Sequence, residues 1–330
     1  MLQTAKYAEE FALEFFSVDR FIFRASDVFT LDDHSHREWL DRLDNCHVYF
    51  LAKRPRLSLV PHSVDISTDT VSFGAEWHIK GVRKQETLSI PRNSFDEAEH
   101  SFAVSPYPHR ELVSYDARGR AIMATLFASS VHLFENLPSE VRDLEVVYIG
   151  KGLRNSVRDR LLHHETLQRI LGDIGSEDPG NEAFVVAHAF DYRKPYLLMR
   201  GMPVEITGDQ ALARHRKAAA YRPSLEEQVS LIEAASISYF QTSKYNNHYL
   251  DFPRRHHRVL RPVYDADFAF LSVQCRSRED RGQRLYSQKI PPASYYLAFI
   301  DFRTGRARFS VGLSVRIDER PADLLRREPS

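Results

Sequence analysis

Cysteine is nearly absent: the 330 residues carry two, Cys46 and Cys275. Two thiols exclude a disulfide framework and a four-cysteine zinc site, and they set the expectation of reduced thiols in a cytoplasmic protein. Long apolar runs are missing as well. The longest, residues 121–134, is broken by Thr125, Ser129, Ser130 and His132 and falls well short of the ~20 residues needed to span a bilayer. The first residues, MLQTAKYAEEFALEFF, mix acids into their apolar positions and lack a basic leader and a small-residue cleavage site, so no secretory signal is expected. No P-loop, Gly-x-Gly-x-x-Gly or Gly-x-Ser-x-Gly string is present, which removes the common nucleotide-binding and α/β-hydrolase signatures.

Net charge is also missing, with 45 basic against 45 acidic side chains. What is present is apolar and aromatic: 43% hydrophobic residues, with 21 Phe and 15 Tyr. That is enough to build a sizeable core and excludes wholesale disorder. At roughly 150 residues per domain the length suggests two domains or one large one.

The zero balance hides an uneven distribution. Residues 1–120 hold 15 basic and 19 acidic side chains, so the positive excess lies in the remainder. Arg193, Lys194, Arg200, Arg214, Arg216, Lys217 and Arg222 are opposed in that stretch by Glu205 and Asp209 alone, and PRRHHRVLRP at 253–262 contains no acid. Tyr192, Tyr196, Tyr221, Tyr239, Tyr245 and Tyr249 are interspersed among these cations. Aromatics among cations suit bases and phosphates; a solvated basic face with half of the tyrosines in the core is the competing reading.

Periodicity predicts an amphipathic helix over the first ~20 residues, from Ala5, Ala8, Phe11, Ala12, Phe15 and Phe16. Alternating segments between Val48 and Ile90 predict strands. Residues 91–115, with three prolines and many acids, read as a loop or linker. The expected division is therefore an N-terminal α+β domain rich in antiparallel strands at 1–115 and a second domain at 116–330. In the second, residues 121–134 read as a buried strand or strand pair, and LEVVYIG as a strand ended by glycine. Asn155 or Ser156 caps a helix to about Leu171, with Val157, Leu161, Leu167 and Ile170 on its apolar stripe. EAFVVAHAFDY reads as a strand, 225–240 as a helix, and three short strand-like runs follow Asn247. The class is α+β.

The informative string is VYIGKGLRNSVRDRLLHHETLQRIL at 147–171. A strand ends in Tyr148-Ile149-Gly150, and the helix after the turn places Arg160 and His164 four residues apart on one face. A later helix carries Glu233-Ala234-Ala235 and is followed by Tyr245-Asn246. These elements, in this order, resemble the GIY-YIG nuclease superfamily. Its Tyr-Ile-Gly strand is matched by Tyr148-Ile149-Gly150 and its Arg-Leu-x-x-His helix by Arg160 to His164. Its metal-binding glutamate is matched by Glu233 and its late asparagine by Asn246. Lys151 follows the glycine as it does in the incision subunit of bacterial excision repair. The resemblance covers residues 120–250 and implies a small mixed sheet flanked by helices. The family's first motif, Gly-Ile-Tyr, has its best match at Ser130-Val131-His132, with His132 in place of the tyrosine. Arg158 rivals Arg160 for the arginine position.

The resemblance implies a phosphodiester hydrolase that uses Mg²⁺ or Mn²⁺ at Glu233. Tyr148, as phenolate or proton relay, activates water, its pKa lowered by Lys151; histidine at 132 passes a proton more readily than tyrosine near neutral pH. Arg160 offers forked donors to the phosphate, and His164 and Asn246 orient the reacting groups. Arg158, Asn246, Arg214, Arg216, Lys217, Arg254 and Arg255 are the candidates for nucleic-acid contact. DNA is favoured over RNA, and the setting resembles restriction or phage defence. The N-terminal domain would select substrate or restrain activity, with any regulatory partner open. Cutting both strands with one site per chain needs a homodimer or two binding events. A non-catalytic nucleic-acid-binding module and an RNA-directed nuclease are the alternatives. The His34/His36, Cys46/His47, His163/His164 and His256/His257 groups lack partners at a zinc spacing.

Overall fold

The structure, a computed structural model, describes residues 5–29, 37–126, 131, 134–153, 160–161, 165–199, 202–254, 257–276, 283–303 and 306–311. It is mixed α+β. Strand β1 spans Glu9–Arg24, helix α1 Arg37–Leu43 and β2 Val48–Pro55. Short strands β3 (Ser58–Leu59) and β4 (Asp65–Ile66) precede the hairpin of β5 (Thr70–Ile79) and β6 (Val82–Pro91), and β7 (Ser101–Val104), β8 (Glu111–Tyr115) and β9 (Ala121–Leu126) follow. Helix α2 (Ser139–Arg142) leads into β10 (Leu144–Lys151), then α3 (Glu165–Glu177), β11 (Asn181–Arg193) and β12 (Tyr196–Leu198). Helices α4 (Gly208–Ala220), α5 (Leu225–Phe240) and α6 (Arg261–Asp265) precede β13 (Phe270–Arg276), β14 (Leu285–Tyr286), β15 (Tyr295–Asp301) and β16 (Arg306–Val311).

Nine strands form the main sheet, in the order β14-β10-β2-β11-β1-β13-β15-β16 with β12 also on β1. Among the described strands β1/β13 and β10/β14 pair in parallel, and the other strand pairs are antiparallel. Each face of the sheet buries its own core. On one, Val229, Ile232, Ile237 and Phe240 of α5 pack on Phe50, Ile149, Val186, Val273 and Ala298. On the other, Leu167, Ile170 and Ile174 of α3 and Leu40 and Leu43 of α1 cover Phe21, Tyr49, Leu51 and Val185. Residues 58–126 pair into two smaller sheets, β3-β5-β4 with β6, and β7-β8-β9, around a separate core that includes Phe73, Trp77, Phe102 and Phe134.

This arrangement corrects several sequence expectations. The first 24 residues supply a strand, not an amphipathic helix. β1 is paired on both sides, by β11 and β13, and a strand buried on both faces needs no alternation, so its Phe11-Ala12-Leu13 run mimics a helical stripe. The stretch read as a linker at 91–115 contains β7 and β8. β9 is not buried, with Ile122 and Met123 half-exposed. The helix expected to end near Leu171 runs to Glu177, and α4 was not expected at all. Residue 115 does not separate two sheets either, because β1 and β2 lie in the same sheet as β10 and β11. The sheet is correspondingly larger than the small one expected. Among the described residues, no helix is long and apolar enough to cross a membrane.

Candidate active site

The site lies where β2 begins and β10 ends. The two strands run antiparallel with Gly150 opposite Tyr49 and Lys151 opposite Val48, and a bulge falls between Val146 and Tyr148. A one-residue bulge reverses which face each later side chain occupies. Here it carries Tyr148 onto the Tyr49 and Leu51 face and Ile149 onto the Phe50 face. The tyrosine rings come together with centroids 6.3 Å apart at 44°. Gly150 leaves the space for this pairing, since a Cβ there would lie 2.6 Å from the Tyr49 hydroxyl. His47 closes the strand ends. Its Nδ1 donates to the Gly152 carbonyl at 3.1 Å, and its own carbonyl accepts from Gly152 N–H.

Arg160 is exposed and its positive charge acts on the Tyr49 hydroxyl. It is also the nearby cation for Tyr148 and Glu233. Helix α5 supplies the carboxylate. Its start is fixed by a capping box between Ser224 and Glu227, and Gln241, in the left-handed conformation, ends it. Nearly all of α5 is buried beyond Gln228, but Ser230 and Glu233, one turn apart on a less buried side, both meet Lys151. The ammonium lies 2.9 Å from Ser230 Oγ and 3.0 Å from Glu233 Oε2.

Burial dominates the electrostatics. It pushes the Tyr49 hydroxyl well above the usual tyrosine range, with the neighbouring Tyr148 adding to the shift and Arg160 opposing it. Tyr148 is raised by burial and by Glu233, again against Arg160. The Glu233 carboxyl is raised by burial, while Lys151, Arg160 and His248 favour its charged form.

Several expected residues meet here and others do not. Tyr148, Lys151, Arg160 and Glu233 gather at this end of β2 and β10, with Tyr148 on the Tyr49 face and Lys151 paired to Glu233 on the α5 face. Lys151 does not act on Tyr148 as expected: three residues apart on a strand they face opposite sides, and Lys151 is committed to α5. His132, Arg158, His164 and Arg255 lie outside the described residues. Asn246 is not a nucleic-acid contact. It is buried, its Oδ1 accepts from Ile149 N–H at 3.0 Å, and its Nδ2 donates to the Ile149 carbonyl at 2.8 Å. It thus satisfies the edge of β10 as another strand would.

Arg214 is not a contact residue either. Buried beneath Tyr7 and Phe11, it donates to the carbonyls of Glu9 and Asp267 and to the Glu10 carboxylate. Arg216 and Lys217 are exposed on the same helix, which rests on the far end of β1. Phe21 stands in the row of Tyr49 through Ala187, and Glu9 is twelve residues back, up to roughly 40 Å at ~3.3 Å per residue. Arg254 is exposed and paired with Asp251 at 3.0 Å.

Sequence reading missed Tyr49, Ser230 and His248. The signal for Tyr49 is His47-Val48-Tyr49 at the start of a strand, separated from Tyr148 by the whole of residues 56–143. A cavity of about 250 Å³ opens between β10, α3 and the end of α5. Its four carboxylates, Glu145, Asp173, Glu177 and Asp178, are each within 4 Å of Lys53 or Lys244.

No family model matches the chain, and neither a curated protein nor a solved structure does. The site's chemistry rests on its own geometry. Among the described residues no three His, Cys, Asp or Glu side chains gather as a metal-binding group. A lone, shielded carboxylate such as Glu233 suits a hard divalent ion that takes most of its ligands from water and phosphate, and does not suit zinc.

Proposed function

We propose that the chain is a divalent-metal-dependent endonuclease of the GIY-YIG type, acting on DNA. One observation carries this reading: Tyr49, the 148–160 segment with Tyr148, Lys151 and Arg160, and Glu233 come from three separated stretches of the chain and gather at one end of β2 and β10. Tyr49, on the strand paired with the Tyr-Ile-Gly strand, supplies the first-motif tyrosine, with residues 56–143 inserted between the two. His132 is then not needed in that role.

The raised hydroxyls of Tyr49 and Tyr148 stay protonated near neutral pH, so they position the attacking water and relay its proton through hydrogen bonds. Arg160 carries an exposed fork of donors for the non-bridging phosphate oxygens. Lys151 keeps positive charge beside Glu233, whose burial would otherwise favour the neutral acid. Glu233 would hold a Mg²⁺ or Mn²⁺ ion, which would supply Lewis-acid stabilisation of the scissile phosphate. Restriction or phage defence is the setting this reading favours, by analogy alone.

The test is cleavage of supercoiled plasmid in Mg²⁺, Mn²⁺ or EDTA by the wild type, Glu233→Ala, Tyr49→Phe, Tyr148→Phe and His132→Ala. We expect metal-dependent nicking that is abolished in Glu233→Ala, reduced ~100-fold or more in either Tyr→Phe variant and unchanged in His132→Ala. Cutting that survives Glu233→Ala or EDTA overturns the reading. Salt-dependent DNA binding without cleavage, indifferent to Mg²⁺, assigns a non-catalytic role.

A further inference from the structure

Positive charge gathers at the other end of β2. Arg54 stands opposite Glu182 in the β2–β11 register. It is wholly buried, its Nε is 3.8 Å from the Glu182 carboxylate, and its guanidinium is 4.4 Å from the centre of the Phe184 ring. Arg24, at the end of β1, grips Asp27 through Nε at 3.2 Å and Nη2 at 3.0 Å. Arg56 follows β2 and donates to the Asn181 carbonyl at 3.5 Å. Arg110 enters from the loop before β8. All four arginines act electrostatically on Glu182.

Four guanidiniums therefore face two carboxylates, and both carboxylates are engaged, Asp27 by Arg24 and Glu182 by Arg54. Among the described residues, neither Arg56 nor Arg110 has a carboxylate within the 4 Å of an ion pair, although Glu182 feels both charges. The Arg110 Nε is buried and donates to nothing. Burial and the like charges of Arg24 and Arg56 disfavour its charged form. A partly desolvated cation among cations is unfavourable unless an anion joins it. The unpartnered Nε–H of Arg110 and the exposed guanidinium of Arg56, backed by further positive charge, offer the donors that a tetrahedral oxyanion accepts.

We propose that Arg56 and Arg110, backed by Arg24 and Arg54, form a binding site for a phosphate group. Arg54 is five residues along β2 from Tyr49, roughly 17 Å away, and on the opposite face. The site does not depend on cleavage. Its phosphate belongs either to a nucleic-acid backbone or to a free phosphate, and the two are separable.

The test uses the full chain in EDTA. Thermal unfolding with sodium phosphate is compared with sodium chloride at matched ionic strength. Phosphate is expected to raise Tm saturably. Arg56→Gln and Arg110→Gln should each weaken that response about tenfold or more, and Arg110→Lys should recover only part of it. The remote Arg216→Gln should not change it. Without phosphate, Arg110→Gln should be at least as stable as the wild type, because it removes a repelled cation, so a lost response is not unfolding. A fluorescent DNA duplex is then titrated at several salt concentrations. A backbone phosphate lowers the log–log salt slope of Arg110→Gln by about 1; a free phosphate leaves duplex binding unchanged while the Tm response is lost. Phosphate that stabilises no more than chloride, with duplex binding unmoved by either Gln variant, overturns the site. Loss of plasmid cleavage bears on the nuclease reading alone.

Discussion

Gly150 faces the Tyr49 ring so closely that a Cβ would lie 2.6 Å from its hydroxyl oxygen and 2.7 Å from Cζ. The glycine of the Tyr-Ile-Gly string is thus required by a side chain from another strand. Gly150→Ala should destabilise by about 1–3 kcal/mol, as overpacking does. In a Tyr49→Leu background at least half of that penalty should disappear. Urea denaturation of the four proteins of this cycle measures the coupling. An undiminished penalty would mean that Gly150 serves some other backbone need.

Asn246 bonds both backbone groups of Ile149 and accepts a third hydrogen bond from Thr242 Oγ1 at 2.7 Å. Asn246→Ala strands a buried donor and a buried acceptor together, so a loss of about 2–4 kcal/mol is expected. Denaturant midpoints compared with duplex affinity decide the role. Unchanged stability with weakened DNA binding would return Asn246 to the contact residues.

The Glu233 carboxyl is raised above its ordinary 4.5 by burial, against Lys151. A raised acid holds its proton in the folded state at pH values where the unfolded chain has released it. Its contribution is therefore present at low pH and declines as pH rises from about 4.5 through the folded value. Glu233→Gln, which removes the titration, should gain stability relative to the wild type between pH 4 and 7. Tm against pH for both proteins gives the answer, and a gap that narrows with rising pH contradicts the shift.

Arg214 ties α4 to both β1 and the turn at Asp267. Arg214→Ala leaves the buried Glu10 carboxylate without its cation and should cost about 3–5 kcal/mol. Arg216→Ala and Lys217→Ala, both exposed, should stay within about 0.5 kcal/mol of the wild type. Parallel unfolding curves separate the two cases. Destabilisation confined to the exposed pair would reverse the assignment.

Much of the second half was legible because its signals are local. The strand that ends in Tyr148-Ile149-Gly150, β11 and the helix at 225–240 were all read from short windows, and α5 has the expected bounds. β1 was misread because burial on both faces erases strand alternation. Arg214 and Asn246 were misread because a polar side chain in a string of text carries no mark of being buried. Lys151 was assigned to the wrong partner because a bulge and strand alternation, not proximity in sequence, decide what it touches.

By itself the sequence determined the α+β class and the order of strand, glycine, helix and acidic helix, and it singled out four of the five side chains gathered at the end of β2 and β10. Only the tertiary structure decided the fifth. Tyr49 meets Tyr148 through a β2–β10 register that spans residues 56–143, and nothing local to either strand encodes that pairing. The tertiary structure also decided that β1 and β2 belong to the main sheet, and that the charges of four arginines from β1, the end of β2 and the loop before β8 bear on one glutamate. Spacing along a chain reports what a helix or strand brings together. Contacts closed across long insertions are set by how whole faces bury against one another.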